Sequence, residues 1–197
     1  MRTFISVELP DEIKVKIGKS ISGLKRIDSG IKWVEDLNLH VTLKFLGWVE
    51  DCDLNCLFET VEDAVKGIGS FKMRIEGSGS FPEGSTPRVF WLGITKGGEQ
   101  LKGIADDLER GLSEAGIRSE EREFSAHLTI GRVKDLPAGR QGKKGGDKVK
   151  EEMEKFKRSD FGEFTVDRIN IMKSTPTPKG PVYEVYKSIN LIKEEKS

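Results

Sequence analysis

The chain has 197 residues and two histidines, and each histidine opens the same four-residue pattern: His40-Val41-Thr42-Leu43 and His127-Leu128-Thr129-Ile130. Threonine occupies only nine positions, so its recurrence two residues after both histidines is not an effect of composition. On an extended strand, residues i and i+2 point to one face and their neighbours to the other. His40, Thr42 and Lys44 then share a polar face, and Val41, Leu43 and Phe45 an apolar face suited to a core. The second copy repeats this, with His127 and Thr129 on one face and Leu128 and Ile130 on the other. Each strand presents an imidazole and a hydroxyl about 6–7 Å apart. An imidazole titrates near pH 6.5 or so and serves as base or acid. Two of them can divide the work, one taking a proton and the other giving one, while the hydroxyls donate hydrogen bonds to anionic oxygens. That set suits in-line attack on a phosphodiester. It requires neither a metal nor a covalent intermediate.

Other chemistry-bearing groups are sparse. Cys52 and Cys56, spaced for one helix face, lack the four ligands of a zinc site and read as two reduced thiols. The Gly/Lys-rich stretch from Ala138 to Lys150 contains no G-x-x-x-x-G-K-[ST] pattern, which excludes a nucleotide-triphosphate loop. It reads as a solvated loop, with an RNA backbone as a possible contact. Among aromatics, Tyr183 is a candidate to stack on a base, whereas Phe45 and Trp91 read as core. The formal net charge is zero, so there is no global basic field for nucleic acid and any RNA contact must be local. No apolar run is long enough to span a membrane, and the N-terminus opens directly on a strand pattern, so a cytoplasmic location is expected.

The elements that must hold these groups alternate between strand and helix patterns. Strands are expected over Thr3–Leu9, Ile31–Val34, Leu39–Leu46, Phe71–Phe81, Arg88–Thr95, Phe124–Val133, Phe164–Lys173 and Val182–Ile192. Helices are expected from Asp11 to Arg26, from Asp51 or Asp53 to Lys66, from Glu99 to Ala115, and from Val149 to Lys157. At this length the chain makes one domain. Each half carries one motif strand, which suggests two similar α+β lobes with those strands facing each other across a groove.

The residues also carry a family resemblance. Arg2-Thr3-Phe4-Ile5-Ser6-Val7-Glu8-Leu9-Pro10 and the stretch from Asn38 to Gly47 resemble the two-histidine (2H) phosphoesterases. So do Gly79-Ser80-Phe81-Pro82, the stretch from Pro87 to Gly93, His127 to Val133, and the closing segment from Ser174 to Tyr183. Within that superfamily the chain is most similar to the RNA 2′,3′-cyclic phosphodiesterases, also called 2′-5′ RNA ligases. The resemblance implies a bilobal α+β fold of antiparallel sheets and helices with pseudo-twofold symmetry, the active-site groove between the lobes, over residues 1–197. It implies His40 as general acid, His127 as general base, Thr42 and Thr129 as phosphate contacts, and Arg132 beside the phosphate. It further implies no cofactor and no metal, a monomer, and RNA 3′ ends bearing a 2′,3′-cyclic phosphate, tRNA fragments included, as substrate. By strand alternation alone, Arg132 lies five residues past His127 and so on the opposite face; a bulge or strand end at Gly131 is needed to bring it round. Joining of RNA ends through a 2′-5′ bond, turnover of a small cyclic nucleotide, and an RNA-end-binding module are the alternatives.

Overall fold

The structure is a computed structural model that describes residues 1–27, 30–83, 86–117, 123–134, 142–178 and 180–193, with the side chains of 142–146 excepted. Strands are β1 (Arg2–Glu8), β2 (Ile31–Trp33), β3 (His40–Trp48), β4 (Phe71–Phe81), β5 (Val89–Lys96), β6 (His127–Val133), β7 (Asp160–Val166), β8 (Arg168–Thr177) and β9 (Gly180–Asn190). Helices are α1 (Asp11–Ser20), α2 (Ser22–Lys25), α3 (Leu54–Val65), α4 (Gly98–Glu114) and α5 (Gly142–Met153). They build two antiparallel sheets, one in the order β3-β1-β8-β9 and the other β2-β6-β5-β4-β7. With β2 set aside, each motif strand stands first in a row of four, which is the α+β arrangement of two similar sheets that the resemblance implies.

The helices form because their apolar residues recur at three- and four-residue spacing. On α3 these are Leu54, Leu57, Val61 and Val65; on α4 they are Leu101, Ile104, Ala105, Leu108 and Leu112, and all are buried. The two helices pack on each other, and α4 also packs on β3. α1 packs instead on β7, across the other sheet. The lobes are therefore not the two halves of the sequence. The first sheet takes β1 and β3 from the start of the chain and β8 and β9 from its end.

Three local expectations change. The helix expected from Asp11 to Arg26 breaks at Ile21 (φ −89°, ψ 3°), although Ile21 and Leu24 stay in the core. The strand expected over Phe164–Lys173 is two strands, because the chain leaves one sheet for the other at Asp167 and Arg168. Those two exposed residues separate buried Val166 from buried Ile169. Of the stretch read as a Gly/Lys loop, residues 138–141 lie outside the described residues, and Gly142 onward is helix α5. Val149 and Met153, one turn apart and both buried, seat that helix, and the Ser78 hydroxyl of β4 donates to the Met153 carbonyl at 2.8 Å. Tertiary packing of that pair outweighs the poor helix propensity of its glycines.

Candidate active site

β3 and β6 abut across the space between the sheets. In the β1–β3 ladder, Glu8 faces His40, Ser6 faces Thr42, Ile5 faces Lys44 and Phe4 faces Phe45. Leu43 is thus an extra residue, a β-bulge. In the β5–β6 ladder, Gly93 faces His127, Trp91 faces Thr129, Phe90 faces Gly131 and Val89 faces Arg132, which leaves Ile130 as the extra residue. Both motif strands therefore bulge directly after His-x-Thr, and the alternation inverts beyond that point.

The inversion places Arg132 on the face of His127 and Thr129, as the bulge near Gly131 requires. It also overturns two expectations. Lys44 does not share the face of His40 but turns inward, only 2% exposed, and pairs with Glu109 of α4. Phe45 is not core: it lies on the groove face beside Phe4, with ring centroids 6.2 Å apart, and is 52% exposed. Trp91 is half-buried, its ring tilted against that of Phe81 with centroids 5.2 Å apart.

Both histidines are held alike. Nδ1 of His40 lies 2.7 Å from the Asn38 carbonyl oxygen, and Nδ1 of His127 lies 2.7 Å from that of Ser125. A carbonyl only accepts, so in each ring Nδ1 carries the hydrogen and Nε2 is left free for chemistry. Aromatic rings fix the imidazole planes. Phe4 lies 4.8 Å from His40 and Tyr183 stands edge-on to it at 5.3 Å, while Phe81 stands edge-on to His127 at 5.2 Å. Asn38 also donates from its side chain to the Pro181 carbonyl at 3.2 Å, which ties β9 and its Tyr183 to the turn that orients His40. Of these partners, Phe4, Asn38, Phe81 and Ser125 carry no signal in the motif itself.

Burial pushes the His40 pKa below the usual imidazole range, and the charges of Lys14 and Arg132 push it the same way against the Asn38 hydrogen bond. Burial lowers the His127 pKa too, with Arg132 again contributing. Burial raises Tyr183, and Arg132 opposes that shift. One guanidinium thus acts on both imidazoles and on the phenol, from the face of β6 that carries His127 and Thr129. Among the described residues no group of three His, Cys, Asp or Glu could hold a metal ion, and Cys52 and Cys56 are exposed free thiols. No described helix is long and apolar enough to cross a membrane.

Residues 11–177 match the family model of the 2′-5′ RNA ligase superfamily. The chain belongs to this superfamily. Relatives within it include the RNA 2′,3′-cyclic phosphodiesterase of Methanocaldococcus jannaschii, 39% identical over 187 residues that span 95% of this chain and 99% of that one. The enzyme of the same name from Thermotoga maritima is 37% identical over 94% of this chain and 92% of its own. The fold matches the crystal structure of TT0787 from Thermus thermophilus with a TM-score of 0.77 at 28% identity, covering 99% and 100% of the two chains. Apo LigT of E. coli shares the fold at 21% identity, with a TM-score of 0.73 and 97% of each chain covered.

In this superfamily member one close approach supports the second histidine. The Trp91 indole lies across Gly79 of β4, where a Cβ would come within 2.3 Å of Cζ2. Gly79→Ala must push the indole off the strand and, through Phe81, disturb His127. The expected result is a stability loss of about 1–3 kcal/mol together with lower turnover. Thermal melting and a kinetic assay check both; an alanine variant with unchanged melting and rate would discount the support.

Proposed function

We propose that the protein hydrolyses the 2′,3′-cyclic phosphate at an RNA 3′ end to a 2′-phosphomonoester, without a metal. The observation that carries this reading is the matched pair of imidazoles, each with Nδ1 bound to a main-chain carbonyl and Nε2 free, with Arg132 acting on both. The names of the relatives support the substrate class. His127 Nε2 takes a proton from water as the oxygen attacks phosphorus. The bond from phosphorus to the 3′ oxygen breaks, and protonated His40 gives its Nε2 proton to that leaving oxygen. Thr42, Thr129 and Arg132 donate to the non-bridging oxygens, where charge accumulates in the transition state. We place the enzyme as a cytoplasmic monomer acting on RNA fragments, tRNA pieces among them.

The test is hydrolysis of a short RNA ending in 2′,3′-cyclic phosphate, with EDTA present, resolving 2′- from 3′-phosphate. A 2′-phosphate product formed in EDTA is expected. Turnover only after metal is added, or a 3′-phosphate product, would overturn the reading.

A further inference from the structure

The groove face of β3 continues past Thr42. A second extra residue, Leu46, inverts the alternation again, so Trp48 returns to the face of Phe45. Along β1, Arg2, Phe4, Ser6 and Glu8 alternate on one face, and their partners are Trp48, Phe45, Thr42 and His40. The row beside the phosphate contacts therefore reads His40, Thr42, Phe45, Trp48. Phe4 behind it is buried, but Phe45 is 52% and Trp48 71% exposed. Exposed aromatic rings in line are costly to leave in water and mark a binding surface. Trp48 differs here from Trp33, which is stacked on Phe90, and from Trp91, whose indole N–H is buried. Arg2, opposite Trp48, is exposed and has no ion pair or side-chain hydrogen bond among the described residues. It shares the face of Phe4, whose ring meets that of Tyr183 edge-on at 5.0 Å, so it borders the groove.

We infer that this row is a track for the single RNA strand that ends in the cyclic phosphate, an inference that rests on the function proposed above. Phe45 stacks the base of the terminal nucleotide, Trp48 stacks the preceding base, and Arg2 meets the phosphate between them. The spacing fits. Each step along the row is about two strand positions once the extra residue is discounted, roughly 6–7 Å. A ring next to the phosphate contacts can reach the base of the same nucleotide, and one step further the base of its neighbour. Stacking of this kind accepts any base and is worth roughly five- to hundredfold in affinity per base. A chain with no net charge has to hold a nucleic acid by such local contacts.

The experiment compares three substrates that differ by one element each: ribose 2′,3′-cyclic phosphate, adenosine 2′,3′-cyclic phosphate, and an adenosine dinucleotide ending in 2′,3′-cyclic phosphate. With the unaltered protein, kcat/KM should rise about fivefold or more at each step. Phe45→Ala should abolish the first rise and spare the ribose substrate. Trp48→Ala should abolish the second rise and spare both smaller substrates. Equal loss on all three substrates, or both rises intact in the variants, would overturn the track. So would a dimer that Trp48→Ala dissociates while the rises persist, since the ring would then serve self-association. If the unaltered protein turns over none of the three, the proposed hydrolysis fails, and indole fluorescence then decides the track. Quenching by a dinucleotide ending in 2′-phosphate, absent in Trp48→Phe, supports it, and no quenching overturns it.

Discussion

Replacing either histidine is expected to lower kcat/KM for an RNA 2′,3′-cyclic phosphate by about 10²–10⁴-fold, the range for a general acid or base. The two variants differ in their pH profiles. Water activation needs neutral His127, so activity rises as pH climbs through the pKa of that group. Leaving-group protonation needs charged His40, so activity falls as pH climbs through the pKa of that group. Burial lowers both pKa values in the free protein, and Lys14 and Arg132 lower His40 further. The kcat/KM profile, which reports the free protein, should therefore be a bell centred on the acid side of about 6.5. A bound phosphate anion favours both charged imidazoles, so the kcat profile should lie at higher pH. His40→Ala should lose the alkaline limb and keep the acid one; His127→Ala should do the reverse. A His40→Ala profile with both limbs intact would remove His40 from the mechanism.

The second large effect concerns stability. Lys44 is almost wholly buried and its ammonium pairs with Glu109, whose side chain is 33% exposed. Glu109→Ala leaves a buried charge without that carboxylate. The loss should be about 2–4 kcal/mol, toward the lower side for a buried pair because Glu109 still meets solvent. Lys44→Met keeps the apolar stem, removes the charge, and leaves Glu109 able to reach water; its cost should stay below about 1.5 kcal/mol. Urea unfolding of the two variants gives the comparison, and a methionine variant less stable than the alanine one would contradict this account. Lys44 also follows the bulge that turns Phe45 into the groove, so Glu109→Ala should weaken substrate binding as well as folding.

The sequence by itself determined the pair of His-x-Thr strands, the side on which each imidazole and its hydroxyl stand, the amphipathic faces of α3 and α4, and an α+β fold. These follow from i, i+2 and i, i+4 regularities that hold locally wherever an element runs unbroken. The tertiary structure alone decided what lies beyond each threonine. Lys44, Phe45 and Arg132 take their places from bulges at Leu43 and Ile130, and a bulge is defined by the residue it faces on another strand. One trace was legible: Val166 and Ile169 stand three apart, which breaks the alternation where the chain passes from β7 to β8. The pass between sheets itself, the helix seated by Val149 and Met153, and the carbonyls that fix both imidazoles depend on contacts between segments distant in the chain or on local backbone geometry. A residue's own type and spacing do not encode those, because the energy that decides them comes from packing against partners the local pattern does not name.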